Sequence, residues 1–201
     1  MSYAEMWDHN THYHRYLLSQ IPNRVNRSLD IGCGLGLFAR KLAERSNSVD
    51  ALDVDEAVLA EASGLSFDAN IAYINGDFLA TDLPETAYDV TVAIASLHHM
   101  NMAAALQKIR LLLRPSGKLL ILGLYREKTP IDYAYSAISI PLNFVYGQWH
   151  RASTARSIKV APTRPAQLSL KQIKKVADAI IPGYRLRRHL FWRYSLIWQK
   201  P

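Results

Sequence analysis

Leu29-Asp30-Ile31-Gly32-Cys33-Gly34-Leu35-Gly36-Leu37-Phe38-Ala39-Arg40 decides how the rest of the chain is read. A short apolar run leads into three glycines at alternating positions, Gly32, Gly34 and Gly36, and a helical pattern follows them. Residues without a Cβ let the backbone take left-handed angles and let a ligand come close. The helix that follows turns its unpaired N–H groups toward that ligand. Asp53 stands 17 residues past Gly36, at the end of a second apolar run. An acidic residue at about that spacing is where a nucleotide-binding βαβ unit holds a ribose diol. Glycine turn and acid together predict a bound adenosine-containing cofactor; a strand–helix turn with no ligand is the alternative.

Working outward, apolar runs predict strands at 28–31, 49–54, 71–74, 88–95 and 118–124. The run at 88–95 is nearly continuous, as a strand buried on both faces requires. Helical periods fall between these runs, at 35–45, 55–62 and 101–113, and a further one at 11–20 precedes them. Arg114-Pro115-Ser116-Gly117 reads as a turn. Strands and helices alternating at this rhythm imply an open, mostly parallel sheet covered on both faces. Residues 126–168, rich in Tyr, Pro and Ser, show little period and read as an irregular excursion on the rim. A helix at 169–181, with Ser169 as N-cap and Pro182-Gly183 as its stop, leads to two strands at 184–190 and 194–199. Three residues between those strands allow only an antiparallel hairpin. The expected organisation is one α/β domain over 1–201: an N-terminal cap helix (1–24), a cofactor-binding core (25–125), a substrate-side insert (126–168), and a closing helix and hairpin (169–201).

Hydrophobic residues at 49% and charged residues at 20% fit a globular chain and argue against disorder. No stretch approaches the ~18 uninterrupted apolar residues of a membrane span. The first ten residues carry neither the basic nor the apolar region of a signal peptide. The lone cysteine, Cys33, has no internal partner for a disulfide, so a cytoplasmic protein is expected. Net charge is +7 but uneven. Residues 1–147 carry 12 basic and 16 acidic groups, while 148–201 carry 12 basic and one acidic. Such a basic quarter suits nucleic acid, acidic lipid or an anionic substrate, or is a solvated face.

The motifs resemble those of the class I S-adenosylmethionine-dependent methyltransferases, in particular the minimal seven-stranded, type 11-like group. Leu29 through Gly36 is similar to that family's first motif without departure, and Ala51-Leu52-Asp53-Val54-Asp55 to its acidic second strand end. Asn75-Gly76-Asp77-Phe78 is similar to the adenine-binding segment, and Tyr88 through His99 to the fourth motif. Leu113 through Leu119 resembles the turn before strand five, with Ser116 where glycine is commoner. The resemblance spans 25–125 by motif and the closing hairpin by architecture. It implies a Rossmann-like sheet of seven strands with helices on both faces and an antiparallel C-terminal hairpin.

It also implies S-adenosylmethionine as cofactor and S-adenosylhomocysteine as product. Asp30, Gly32, Gly34 and Gly36 would hold the amino-acid end, and Asp53 the ribose diol. Val54, Asp77, Phe78 and Ala95 would border the base and the rest of the cofactor. Each has a plainer alternative: Asp30 as a turn former, Asp53 as a helix cap, Phe78 as core. His98 and His99, just past strand four, are candidate general bases for a protonated acceptor, or structural residues at a helix start. Tyr13 and His14 on the N-terminal helix, and Tyr133, Tyr146 and Trp149 in the insert, are candidate acceptor-binding groups, with packing as the alternative. His9, His12 and His14 are not spaced to share one helix face, and no metal site is expected.

The expected activity is methyl transfer to an O or N atom of a small organic acceptor, aromatic or anionic, by a monomer or homodimer. RNA or protein as acceptor is the first rival, prompted by the basic quarter. Against it, no RNA-binding module is appended, and Ile94-Ala95-Ser96-Leu97 stands where amino-group methyltransferases of macromolecules often carry Asn/Asp-Pro-Pro-Tyr/Phe. A non-catalytic cofactor-binding regulator is the second rival.

Overall fold

The computed structural model describes residues 8–66, 70–149 and 165–201, with 143–149 by their backbone alone. Seven strands form one sheet in the order β3-β2-β1-β4-β5-β7-β6. They are β1 (Val25–Ile31), β2 (Ser46–Asp53), β3 (Ile71–Asn75), β4 (Tyr88–Ile94), β5 (Leu113–Leu124), β6 (Arg185–Arg188) and β7 (Arg193–Gln199). The first five run parallel, while β7 lies antiparallel to both β5 and β6. The order reverses between β1 and β4, where parallel sheets of this kind open a crevice at the carboxyl ends of their strands.

Alternate residues of one apolar run feed two separate cores. Leu119 and Ile121 of β5 enter the core under α4 (Met102–Leu112) and α6 (Leu170–Ile180). Leu120 and Leu122 enter the other, with Leu17 of α1 (His14–Leu18) and Phe38 and Leu42 of α2 (Leu37–Ala43). A strand covered on both faces has no polar side to show, hence its continuous apolar sequence. Three of the helices begin where a side chain takes up free N–H groups. Asp55 accepts from Ala57 and Val58 at the start of α3 (Glu56–Gly64), and Asn101 accepts from Ala104 at the start of α4. Ser169 and Gln172 form a reciprocal capping box at the start of α6.

Three expectations are corrected. The helix at 11–20 is a 3-10 turn, Thr11–Tyr13, followed by the five residues of α1, because the chain must leave the helix before Pro22. The 114–117 turn lies inside β5 as a bulge: Tyr88 pairs with Leu113 and Val90 with Lys118, so four residues loop out opposite Asp89. Most of the irregular insert that can be described is a 20-residue helix, α5 (Pro130–Trp149). Its period was hidden because its polarity is inverted. Asp132 and Ser139 are buried, while Ile131, Tyr133, Ile138 and Ile140 are exposed.

Candidate active site

The expected cofactor residues stand at the carboxyl ends of β1, β2, β3 and β4, with the glycine turn at the crevice between β1 and β4. Gly32 and Cys33 donate their N–H groups to Leu52 O at 2.7 and 3.0 Å, which folds the glycine turn back onto β2. Gly32, Gly34 and Gly36 all have positive φ, at 70°, 52° and 70°. At Gly32 a Cβ would lie 2.4 Å from Ser96 Cβ, and Ser96 in turn donates to Ile31 O at 2.6 Å. That position therefore holds β1 against the end of β4. A Cβ on Gly34 would meet nothing within 4 Å, so the middle of the turn is an open cradle.

Asp53 ends β2 and faces this cradle. Its Oδ2 accepts from Gly34 N at 2.9 Å and its Oδ1 from Asp55 N at 3.1 Å. Each oxygen keeps a further lone pair. Helix capping belongs instead to Asp55. Val54, the next residue, is an apolar side chain left 67% exposed. Asp30 is buried, and its Oδ2 has no hydrogen-bond partner among the described residues. Burial and the nearby Asp53 carboxylate push its pKa up to about 7, only partly offset by the Ala39 amide. The Cys33 thiol is also pushed up, by burial and by Asp30 and Asp53, so it is no thiolate.

Past β3, Asp77 is exposed and its Oδ1 accepts from Leu79 N at 2.7 Å. The Phe78 ring, by contrast, is core: it is 1% exposed, with the Lys108 ammonium 5.2 Å from its centroid. Its backbone alone can reach a ligand. Ala95, at φ 51°, turns the chain out of β4 in a conformation L residues rarely take. The 3-10 turn Leu97–His99 follows, with the His98 and His99 rings 4.0 Å apart.

The acceptor candidates divide differently. Tyr13 is buried, donates to Leu190 O at 3.1 Å and packs against His189. His14 is buried edge-on to Phe38. Both bind the N-terminal segment to the body of the fold. Tyr133 lies on the outward side of α5 at 59% exposure. Tyr146 and Trp149 belong to the backbone of α5, and their side chains, like all of 150–164 with the basic residues there, lie outside the described residues.

Sequence reasoning expected the hairpin joining β6 to β7 but singled out no residue of its turn, which stands at the same carboxyl edge. Phe191 and Trp192 both have φ 57°, where hairpins ordinarily use Asn-Gly. Such angles cost about 1–2 kcal/mol per residue. Contacts with α5 and the N-terminal segment offset that cost. Phe191 N donates to Ser139 Oγ at 3.0 Å, Trp192 Nε1 to Ser136 Oγ at 2.8 Å, and His9 stacks on Phe191. The short connection was visible in the sequence, but two bulky aromatic residues gave no sign of left-handed backbone. A cleft of about 720 Å³, lined by residues that include Arg24, Asn26, Asp89 and Lys118, opens at the amino edge, away from all these groups. Asp89 and Lys118 are already engaged there: Asp89 accepts from Asn26 N and Arg27 N, and Lys118 donates to Gln20 O.

A family model described as "Methyltransferase domain" matches residues 29–121. An uncharacterized methyltransferase of Mycobacterium tuberculosis is 30% identical over 200 residues, covering 97% of this chain and 98% of that one. The chain belongs to the class I S-adenosylmethionine-dependent methyltransferases. The ubiquinone biosynthesis O-methyltransferase of Pseudomonas fluorescens is 28% identical over 127 residues, 59% of this chain and 53% of its own. The fold matches the solved S-adenosylmethionine-dependent methyltransferase from Mesorhizobium loti with a TM-score of 0.66 at 16% identity, over 92% and 96% of the two chains.

For a methyltransferase the leftover features are informative. A buried carboxyl oxygen without a partner, an open cradle of glycines and a bare apolar residue beside an acid suit a cofactor that brings an ammonium, a ribose diol and a flat base. Among the described residues no group of three or more His, Cys, Asp or Glu side chains could hold a metal ion, and no helix is long and apolar enough to cross a membrane.

Proposed function

We propose that this methyltransferase modifies an oxygen or nitrogen atom of a small organic acceptor at the carboxyl rim of the sheet, beside the His98–His99 turn. The observation that carries the cofactor half of this reading is the unpartnered, buried Oδ2 of Asp30 next to the glycine turn. S-adenosylmethionine supplies an electrophilic methyl group on its sulfonium, so the protein's task is alignment. Asp30 would take the ammonium of the cofactor's amino-acid end, and the open space at Gly34 would admit the rest of that end. Asp53 accepts from the two ribose hydroxyls, and charged acceptors make such bonds strong. Val54 covers one side of the base, and Asp77 and the Phe78 backbone N–H meet its edge. Ala95 lines the floor. His98, half-buried, or His99 receives the proton of an acceptor hydroxyl or ammonium. The named O-methyltransferase relative supports a small acceptor, and the Ile94-Ala95-Ser96-Leu97 segment supports it against nucleic acid or protein.

Asp30 supplies the test. Its carboxyl titrates near pH 7 without ligand, and only the ionised form pairs with an ammonium. About one-tenth is ionised at pH 6 and about nine-tenths at pH 8. Affinity for S-adenosylhomocysteine should therefore rise about tenfold between those values, and the Asp30→Asn variant should bind weakly at both. Calorimetric titration of the two proteins checks this, and a flat wild-type profile removes Asp30 from the site. With labelled methyl donor, small phenols, carboxylates and amines are then offered beside RNA and protein. Label on either macromolecule alone would replace the small-acceptor reading.

A further inference from the structure

The inverted polarity of α5 has no role in the chemistry above. Its inner face is polar and engaged. Asp132 meets Arg188 of β6 at 2.7 Å, Ser136 holds Trp192, and Ser139 holds Phe191. The arc facing away from these residues is apolar, with Ile131, Tyr133, Ile138 and Ile140 exposed at 60, 59, 53 and 62%. Ala134, Ala137 and Pro141, also exposed, fill the space between them. Of the six large apolar side chains that stand exposed among the described residues, these are four. From Tyr133 to Leu142 the helix has no charged residue to break this surface.

Scattered apolar residues on a surface are ordinary, but one helix presenting a continuous apolar stripe marks a place where something docks. The surroundings specify what. The described residues from 133 onward hold eight basic side chains and a single acid, Asp178, which is bonded by Tyr184 at 2.9 Å. Near α5, the edge strand β6 exposes Arg187, the neighbour of Arg188, and the first turn of α6 exposes Lys171, with Lys174 and Lys175 one turn further on. The two elements are tied to α5 or its approach, β6 through Arg188–Asp132 and α6 through Arg126 N on Leu168 O at 2.8 Å. An apolar helical stripe flanked by exposed positive charge complements an anionic bilayer, where the stripe enters the acyl boundary and the charges meet headgroups. A protein partner would need acidic groups arranged around an apolar groove, while a lipid surface supplies both layers over any area.

We propose that α5 is an interfacial helix that seats the enzyme on anionic membranes. Because α5 also borders the carboxyl rim, the acceptor then comes from the bilayer, a lipophilic molecule with its methylated oxygen or nitrogen near the headgroups. This last step rests on the acceptor reading above; the docking does not.

Sedimentation with vesicles of phosphatidylcholine alone, and with about one-third phosphatidylglycerol, tests the docking directly. The wild-type protein should bind the anionic vesicles and lose binding as salt rises. The Ile131→Glu/Ile138→Glu variant should bind at least about tenfold less, and Lys171→Ser/Arg187→Ser less to the anionic vesicles. Both variants alter exposed positions, and unchanged S-adenosylhomocysteine affinity will report that the fold and cofactor site survive. Failure to bind that ligand in every form would count against the cofactor reading and leave the vesicle result standing. No binding of the wild type, or equal binding to neutral and anionic vesicles, overturns the proposal. So does a dimer that Ile131→Glu/Ile138→Glu splits into monomers with vesicles left untouched, since the stripe would then join two copies of the chain.

Discussion

Alanine at position 53 is expected to lower the affinity for S-adenosylhomocysteine by about a hundredfold or more. The carboxylate has two tasks that one side chain cannot shed separately. It receives Gly34 N at 2.9 Å and Asp55 N at 3.1 Å, fixing the glycine turn against the start of α3. In the cofactor-bound enzyme proposed above, its remaining lone pairs also receive a ribose diol. Hydrogen bonds to a charged group contribute about 1.5–3 kcal/mol each, so losing two from the ligand costs about 3–6 kcal/mol of binding. Calorimetry measures the affinity, and a melting curve of the free protein separates the two tasks. A turn that merely loosened would lower the melting temperature and leave affinity nearly intact. Affinity within threefold of wild type would remove Asp53 from the ligand site.

Acid should destabilise the protein by about 3 kcal/mol between pH 7 and pH 4, and replacing Asp30 should roughly double that loss. His14 and His189 are both buried and neutral, their pKa values lowered to about 4. Burial is the main cause for each, with Lys41 adding to it at His14 and Arg187 and His12 at His189. The unfolded chain takes up these two protons near pH 6.5, and the folded chain does so only near pH 4. Each imidazole thus gives stability that is present above pH 6.5 and lost on the way down to 4, at about 1.4 kcal/mol per pH unit. Asp30 works in the opposite sense. Its folded pKa of about 7 lies above the unfolded value, so the folded state gains a proton first and recovers about 3 kcal/mol over the same range. Two protons against one leave a net loss. Urea unfolding at pH 7, 5.5 and 4 checks the slope. The Asp30→Asn variant should fall by about 6 kcal/mol, and a flat curve for both proteins would mean that the imidazoles are protonated in the folded state.

The parallel half of the sheet was readable because burial on two faces leaves an uninterrupted apolar trace, as in Leu119 through Leu122. The glycine turn was readable for another reason: Gly32, Gly34 and Gly36 occupy backbone angles and close approaches that other residues avoid. Both are local constraints written in residue type. Helix α5 escaped notice because periodicity betrays a helix only through the contrast between an apolar inner face and a polar outer one, and in α5 that contrast is reversed and weak. The Phe78 ring and Tyr13 show a second limit. Aromatic residues near a motif are as well suited to core as to ligand, and only the fold decides, placing Lys108 over one ring and Leu190 O on the other's hydroxyl. The strained pair Phe191 and Trp192 lies further out of reach, since its angles are imposed by Ser136 and Ser139 some fifty residues earlier in the chain.

Strand β5 pairs with β7 at every position from Lys118–Gln199 to Leu124–Arg193. The ribosome makes β5 long before that partner. At about 5–20 residues per second, the roughly 70 residues between them take about 4–14 s to add, and release from the exit tunnel adds more. Throughout that time β4 can dock on one side of β5, while the other side shows free N–H and C=O groups along the apolar run Leu119 through Leu122. Each newly made molecule thus passes through a stage in which a neighbouring nascent chain could take the place of β7. Slow translation of residues 125–192 would lengthen that exposure, and a chain cut short before Arg193 would make it permanent.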